Sequence, residues 1–310
     1  MEENTKNVID IKAVDDEEQF FSSNVESFWR MVWNRFKKHK LAVIGLIVLG
    51  IMIVICFLAP VIAPFPYEEL HLSDVPDGMP LRPGGKYILG TDQLGRDFFT
   101  RCLYGGRISL TVGIVSTLIA LVIGIPLGCL AGYYGGAADM VIMRVVEFFA
   151  CIPTFPLLLT LNAVMDNPSI YLVMAIIGIF GWGGVCRQVR AQFLTLKNQE
   201  FVQAAGALGY KDRKVIFKHI LPNALTPVIL IATMSVAGGI LMESSLSYLG
   251  LGVQEPIPSW GAMLKAGKSF LRDRPHLCII PGILILIVSL ALNFVGDGLR
   301  DALDPRNTRN

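Results

Sequence analysis

The chain has 310 residues, 53% of them hydrophobic and only 17% charged, with a formal net charge of +2. Soluble domains carry roughly 45–50% apolar and about 25% charged residues, so the composition argues against an ordinary soluble protein, and the length accommodates about six membrane spans of ~20 residues with their loops. Without a basic tract, a nucleic-acid binder is excluded.

The first 26 residues hold eight acidic side chains and no apolar run. Residues 1–28 therefore read as a disordered acidic cytoplasmic tail without a cleavable signal peptide. Residues 29–63 form an interfacial segment and the first span. Trp29 and Trp33 suit a membrane interface, and Arg30, Arg35, Lys37, Lys38 and Lys40 precede the apolar run Leu41 to Ala63. Positive charge stays inside, which puts the N-terminus in the cytoplasm. Further spans are expected over Ser109 to Tyr133, Met140 to Val164, Ile170 to Val189, Leu225 to Leu251 and Cys278 to Val295. The fold class is thus an all-α integral membrane protein with six transmembrane helices and both termini cytoplasmic. Residues 64–106 make an extracytoplasmic loop, 107–297 the transmembrane domain and 298–310 a C-terminal cytoplasmic tail. Residues 252–277 also lie outside.

Gly124, Gly128 and Gly132 put three bare backbones on one helix face, for packing within the subunit or against another. Pro126 and Pro153 are expected to bend their helices. Arg144 and Glu147, three apart, read as a local ion pair or as pathway charges. The six cysteines are scattered without metal spacing, so they read as small reduced apolar residues. His39, His71, His219 and His276 make no catalytic or metal pattern, and no P-loop sequence occurs. No catalytic residue, metal or cofactor is assigned to this chain.

The stretch Glu200 to Asn223 is the most informative. Phe201, Val202, Ala205 and Leu208 follow helical spacing as one apolar face. Gly209 suits the left-handed residue that ends a helix. Asp212 is the expected N-cap of a second helix, with Val215, Ile216, Ile220 and Phe217 on its buried side. Pro222 is expected to end or kink it. Two short helices around a glycine corner would dock in a partner's groove or lie on the bilayer surface; the pattern leaves both open.

Gln203-Ala204-Ala205, then Gly209, then Leu221-Pro222 resemble the coupling segment of binding-protein-dependent ABC transporter permeases, with Gln203 in place of a glutamate and His219 in place of an isoleucine. LGTDQLGRD (Leu89 to Asp97), YGGRISL (Tyr104 to Leu110), SYLGLGVQEPIPSWGAML (Ser247 to Leu264) and FVGDGLRDALDPR (Phe294 to Arg306) resemble blocks of the dipeptide, oligopeptide and nickel permeases, best the C subunit. The resemblance implies a type I ABC importer transmembrane domain in a bacterial or archaeal cell (inner) membrane. It implies a B-type permease partner, two ATP-binding cassette ATPase subunits that use ATP and Mg, and an extracytoplasmic substrate-binding protein. It implies ATPase docking by residues 200–222, through Phe201, Val202, Gln203, Ala204, Ala205, Leu208, Gly209, Leu221 and Pro222. Peptide is the expected substrate, with nickel or a nickel chelate as the alternative. An ion-gradient-driven secondary transporter is the rival class; spans one, two, four and six carry none of the mid-membrane charges such proteins use.

Two charged sites remain. Glu243, in the outer part of span five, is expected to pair with Arg96 or Arg107, or to meet a peptide's amino group. Asp92, Arg96 and Asp97 make either a binding-protein contact or a satisfied loop network.

Overall fold

The computed structural model describes residues 28–75, 77–164 and 169–303. The acidic tail lies outside these, as do residues 304–310. The described residues are helical with irregular connections. Five helices are long and apolar enough to cross a bilayer, and a bent pair can supply a sixth.

An interfacial helix α1 (Phe28–Lys38) leads into α2 (Lys40–Phe57), with His39 between them accepting a hydrogen bond from the Ala42 amide as an N-cap. A short turn α3 (Ala59–Ile62) follows. Helix α4 (Phe98–Tyr134) has 37 residues. At 1.5 Å per residue it is ~55 Å long and outruns a ~30 Å hydrocarbon core. It begins at Phe98, capped by Asp97, rather than at Ser109, so the YGGRISL block is helix and not loop. It also runs unbroken through Pro126. The third expected span corresponds to a bent pair of helices, α5 (Gly136–Cys151) and α6 (Thr154–Val164). They meet at 68°, and Pro153 stands at the break.

Helix α7 (Ile170–Leu196) packs along α4. The glycine row explains the closeness. A Cβ on Gly124 would stand 2.7 Å from Val185 Cβ, one on Gly128 2.7 Å from the Cys186 carbonyl oxygen, and one on Gly132 2.9 Å from that of Arg190. The row therefore serves packing within the subunit. Gly128→Ala is expected to cost about 1–3 kcal/mol by overpacking. Gly184→Ala is the control, because nothing lies within 4 Å of its added methyl. Thermal unfolding in detergent reads the difference; equal melting would refute the seam.

The chain closes with α8 (Glu200–Ala207), α9 (Asp212–Lys214), α10 (Leu221–Tyr248), α11 (Trp260–Lys268) and α12 (His276–Leu303). Helix α11 lies in the 252–277 stretch, read from sequence as plain loop, and α12 runs on through residues 298–303, read as tail. At one end of the bundle α1 packs through Val32 and Phe36 on Val295 and Ala302 of α12. Residues 200–220 lie at that same end, where α4 and α7 finish and α2 and α10 start. The opposite end carries α11 and the loops before α4 and after α10. Arg144 donates to Glu147 at 2.8 Å, both exposed, a local pair.

Candidate functional site

Two clusters stand out, one at each end. The first is the corner around Gly209. Gly209 has φ +76°, the left-handed region. Its amide donates to the Gly206 carbonyl at 2.9 Å, and the Tyr210 amide to that of Ala205 at 3.2 Å. These two bonds make the glycine-capped helix stop that the sequence suggests.

Beyond the corner the details differ from expectation. Asp212 is the first residue of α9 and not its N-cap, because its carboxylate accepts from the Tyr133 hydroxyl at 2.8 Å. Lys197 Nζ donates to the Tyr133 carbonyl at 2.6 Å, so this corner is tied to the end of α4. Residues Val215–Ile220 form a π-helical turn that passes directly into α10. The Leu221 amide bonds five residues back, to Ile216. Pro222 thus ends nothing. It sits in the first turn of α10, where the widened turn precedes the missing N–H.

The apolar residues of α8 split between two faces. Val202 and Ala205 are buried with Val215, Ile216 and Ile220 against Val189 and Phe193 of α7. They anchor the segment and are not free to contact a partner. Phe201, Gln203, Ala204, Leu208, Gly209 and Pro222 are exposed, and Leu221 is half-buried. Leu208 is 74% exposed, and Phe217, expected inside, is 60% exposed. The Gln203 side chain donates to the Asn198 carbonyl at 3.3 Å. The outcome is an internally anchored projection with an apolar outer edge.

The second cluster lies at the opposite end. Asp92 Oδ1 accepts from the amides of Leu94 and Arg96, at 2.9 and 3.0 Å. Arg96 Nε donates to Asp92 Oδ2 at 2.6 Å, and its other nitrogens reach Glu255. Arg101 donates to Glu255 at 3.2 Å and to the carbonyls of Tyr67 and Pro256. Asp97 caps α4 through the Thr100 amide at 2.8 Å. Asp92, Arg96 and Asp97 are all buried. A partner could not reach them without dismantling this network, so the binding-protein contact is replaced by the loop network. Glu255, half-exposed, and Arg101, buried, were not singled out from the sequence; only their place in family-like blocks pointed to them. Burial pushes the Glu255 carboxyl up, but the Arg96 and Arg101 guanidiniums outweigh it and hold it below its ordinary range. Burial opposes the Arg96 cation, and Glu255 with Asp92 more than offsets that.

Glu243 is fully buried nearby, but neither expected arginine meets it. Arg96 is committed as described, and Arg107 lies over the Phe57 ring. Glu243 instead accepts from three serines: Ser109 at 2.9 Å, Ser247 at 2.6 Å and Ser244 at 3.4 Å. Ser109 Oγ also accepts from the Trp260 amide, and Ser247 Oγ from that of Val253. The Trp260 indole donates to the Cys102 carbonyl at 3.0 Å. One carboxyl thereby joins α4, α10 and the start of α11. Among the described residues no group of three His, Cys, Asp or Glu side chains could hold a metal ion.

Residues 124–309 match the family model of the binding-protein-dependent transport system inner membrane component, and residues 27–80 that of the N-terminal TM domain of oligopeptide transport permease C. The chain belongs to this permease family. Curated relatives agree along nearly its whole length. The permease is 40% identical to the oligopeptide transport system permease protein OppC of Haemophilus influenzae, covering 98% of this chain and 97% of the relative. It is 40% identical to the dipeptide transport system permease protein DppC of Alkalihalophilus pseudofirmus, covering 90% of each. OppC of Escherichia coli K12 is 39% identical over 93% of this permease and 95% of its own length. Among solved structures, an inward-facing form of the MetNI methionine ABC transporter aligns with TM-score 0.54 at 18% identity, over 66% of this chain and 97% of the other. That likeness concerns the fold alone.

Proposed function

We propose that this permease forms half of the translocation pathway of an ATP-driven peptide importer, and that the α8–Gly209 corner is where a separate ATPase subunit seats. The peptide substrate is supported by the names of the oligopeptide and dipeptide relatives. The basic cluster before α2 and the counting of α5–α6 as one broken span support six spans with both termini cytoplasmic. A B-type permease would supply the other half of the pathway, in the cell (inner) membrane, and an extracytoplasmic binding protein would deliver the peptide. ATP and Mg would be used by the ATPase subunits, and this chain contributes no catalytic group.

The observation that carries the docking assignment is the split of α8. Its inner face is already satisfied by the permease's own core, while Phe201, Ala204 and Leu208 stay exposed on a short helix that a partner groove can accept. Because Val215, Ile216 and Ile220 tie the corner to α7 and the π turn runs into α10, movement of the seated helix would pass into a membrane-spanning helix.

Leu208→Asp places a charge on the outer edge without touching the core. It is expected to weaken copurification of the ATPase about tenfold or more, with unchanged melting of the permease, since burying an unpaired charge in an apolar contact is costly. Full association of the ATPase with the Leu208→Asp permease would refute the docking site. The substrate class is tested by identifying the ligand held by the cognate binding protein; nickel in place of peptide would overturn that part.

A further inference from the structure

The docking corner is flanked by a groove of about 480 Å³ lined by Lys211, Arg213, Lys214 and Phe217. All four lining residues are exposed, and Lys218 is exposed beside them. Among the described residues, none of these cations has a carboxylate within ion-pair distance. The neighbouring acid, Asp212, is taken by Tyr133. Lys214 instead lies 3.7 Å over the Tyr210 ring. Four cations beside an exposed phenylalanine call for an acidic ligand with an apolar element.

The chain itself carries such a segment. Asp15, Asp16, Glu17 and Glu18 are consecutive and are followed, after Gln19, by Phe20 and Phe21. Over residues 1–26 the acids are Glu2, Glu3, Asp10, Asp15, Asp16, Glu17, Glu18 and Glu26, against Lys6 and Lys12. The segment joins α1, which packs on the end of α12. Helix α12 in turn runs beside α10, with Gly296 facing Leu230 and Met234. Helix α1 is thus one helix away from the start of α10, at the end of the bundle that holds the groove. From Glu18 to Phe28 the chain can reach at most ~35 Å, against helix diameters of about 10 Å.

We propose that the acidic N-terminal segment, centred on Asp15–Phe21, seats in the basic groove at Lys211–Lys218, with the carboxylates against the cations and Phe20 or Phe21 against Phe217. Lys211 of the groove follows Gly209 by two residues, so the seated segment would cover the docking edge and compete with the ATPase. This second clause rests on the docking site proposed above; the contact itself does not. Tethering gives the segment a high effective concentration, and salt weakens the contact because the pairs are exposed.

Zero-length carbodiimide cross-linking of the full chain, in nanodiscs of neutral lipid without ATPase, tests the contact. Mass spectrometry is expected to find Glu17 or Glu18 joined to Lys211 or Lys214, with the links lost at about 1 M salt, where screening acts within about 3 Å. Absence of these links overturns the contact, and so does their replacement by protection of the groove lysines with phosphatidylglycerol. A chain lacking residues 1–26 is expected to bind the ATPase about three- to tenfold more tightly at low salt, and added peptide 1–26 to reverse the gain. Unchanged affinity with cross-links present overturns the competition. Missing cross-links with normal ATPase binding overturn the tail contact and leave the docking site standing.

Discussion

Glu243→Ala is expected to destabilise the permease by roughly 3–5 kcal/mol, and Glu243→Gln by only about 1 kcal/mol. The carboxyl receives Ser109, Ser244 and Ser247. Each such hydrogen bond contributes about 0.5–1.5 kcal/mol, and a buried hydroxyl left without a partner costs about 1–3 kcal/mol. The terms are not additive, because the serines share one acceptor. Alanine also leaves a void where a long side chain stood. Glutamine keeps the shape and one carbonyl acceptor, so the α4–α10–α11 junction survives. Thermal melting in detergent measures stability, and uptake by reconstituted transporter measures function. Retained uptake by a folded Glu243→Gln protein fits a structural latch. Lost uptake with unchanged melting would overturn the latch and return Glu243 to the transport pathway.

The contrast between expectation and observation at this site is physical. Apolar runs of ~20 residues are visible in any hydropathy pattern, so the five long helices were legible, while the break of the third expected span into two helices was signalled only as a bend at Pro153. Gly209 declared its corner because a helix stop of that kind needs a left-handed residue. The faces of α8 were not legible. In an eight-residue helix that is apolar on two sides, periodicity gives the spacing but not which side the bundle covers, and Val202 and Phe201 look equivalent. The early start of α4 was hidden for another reason. Arg101 looks like a solvated loop residue until Glu255 is found beside it, 154 positions away. Asp212 carried a correct signal with the wrong partner: an acid before a helix reads as a cap, but Tyr133 arrives from α4 and takes the carboxylate. Long-range partners decide each of these, and the spacing of one segment cannot carry them.

The same long-range logic makes Arg96 the second sensitive point. Arg96→Met is expected to cost about 3 kcal/mol, the lower end of the range for breaking a buried pair by deleting one partner. The lower end applies because Arg101 stays 3.5 Å from Asp92. Asp92→Asn keeps an oxygen for the Leu94 and Arg96 amides but drops the charge. In the double variant no carboxylate at position 92 is stranded, so its cost should fall short of the sum of the singles by about 1–2 kcal/mol. Strict additivity would refute the pairing. Acid provides an independent reading through Glu255. Its carboxyl is held below the ordinary 4.5, so the folded state binds fewer protons than the unfolded one there. The stability this contributes is fully present above about pH 4.5 and is lost as pH falls through the lower folded value. Melting of the wild-type protein should therefore drop in that window. Glu255→Gln should melt lower at pH 7 and change less on acidification, because the group that titrates is gone. Parallel acid profiles for the two proteins would place the acid-labile step elsewhere and break the link between Glu255 and the stability of this end of the bundle.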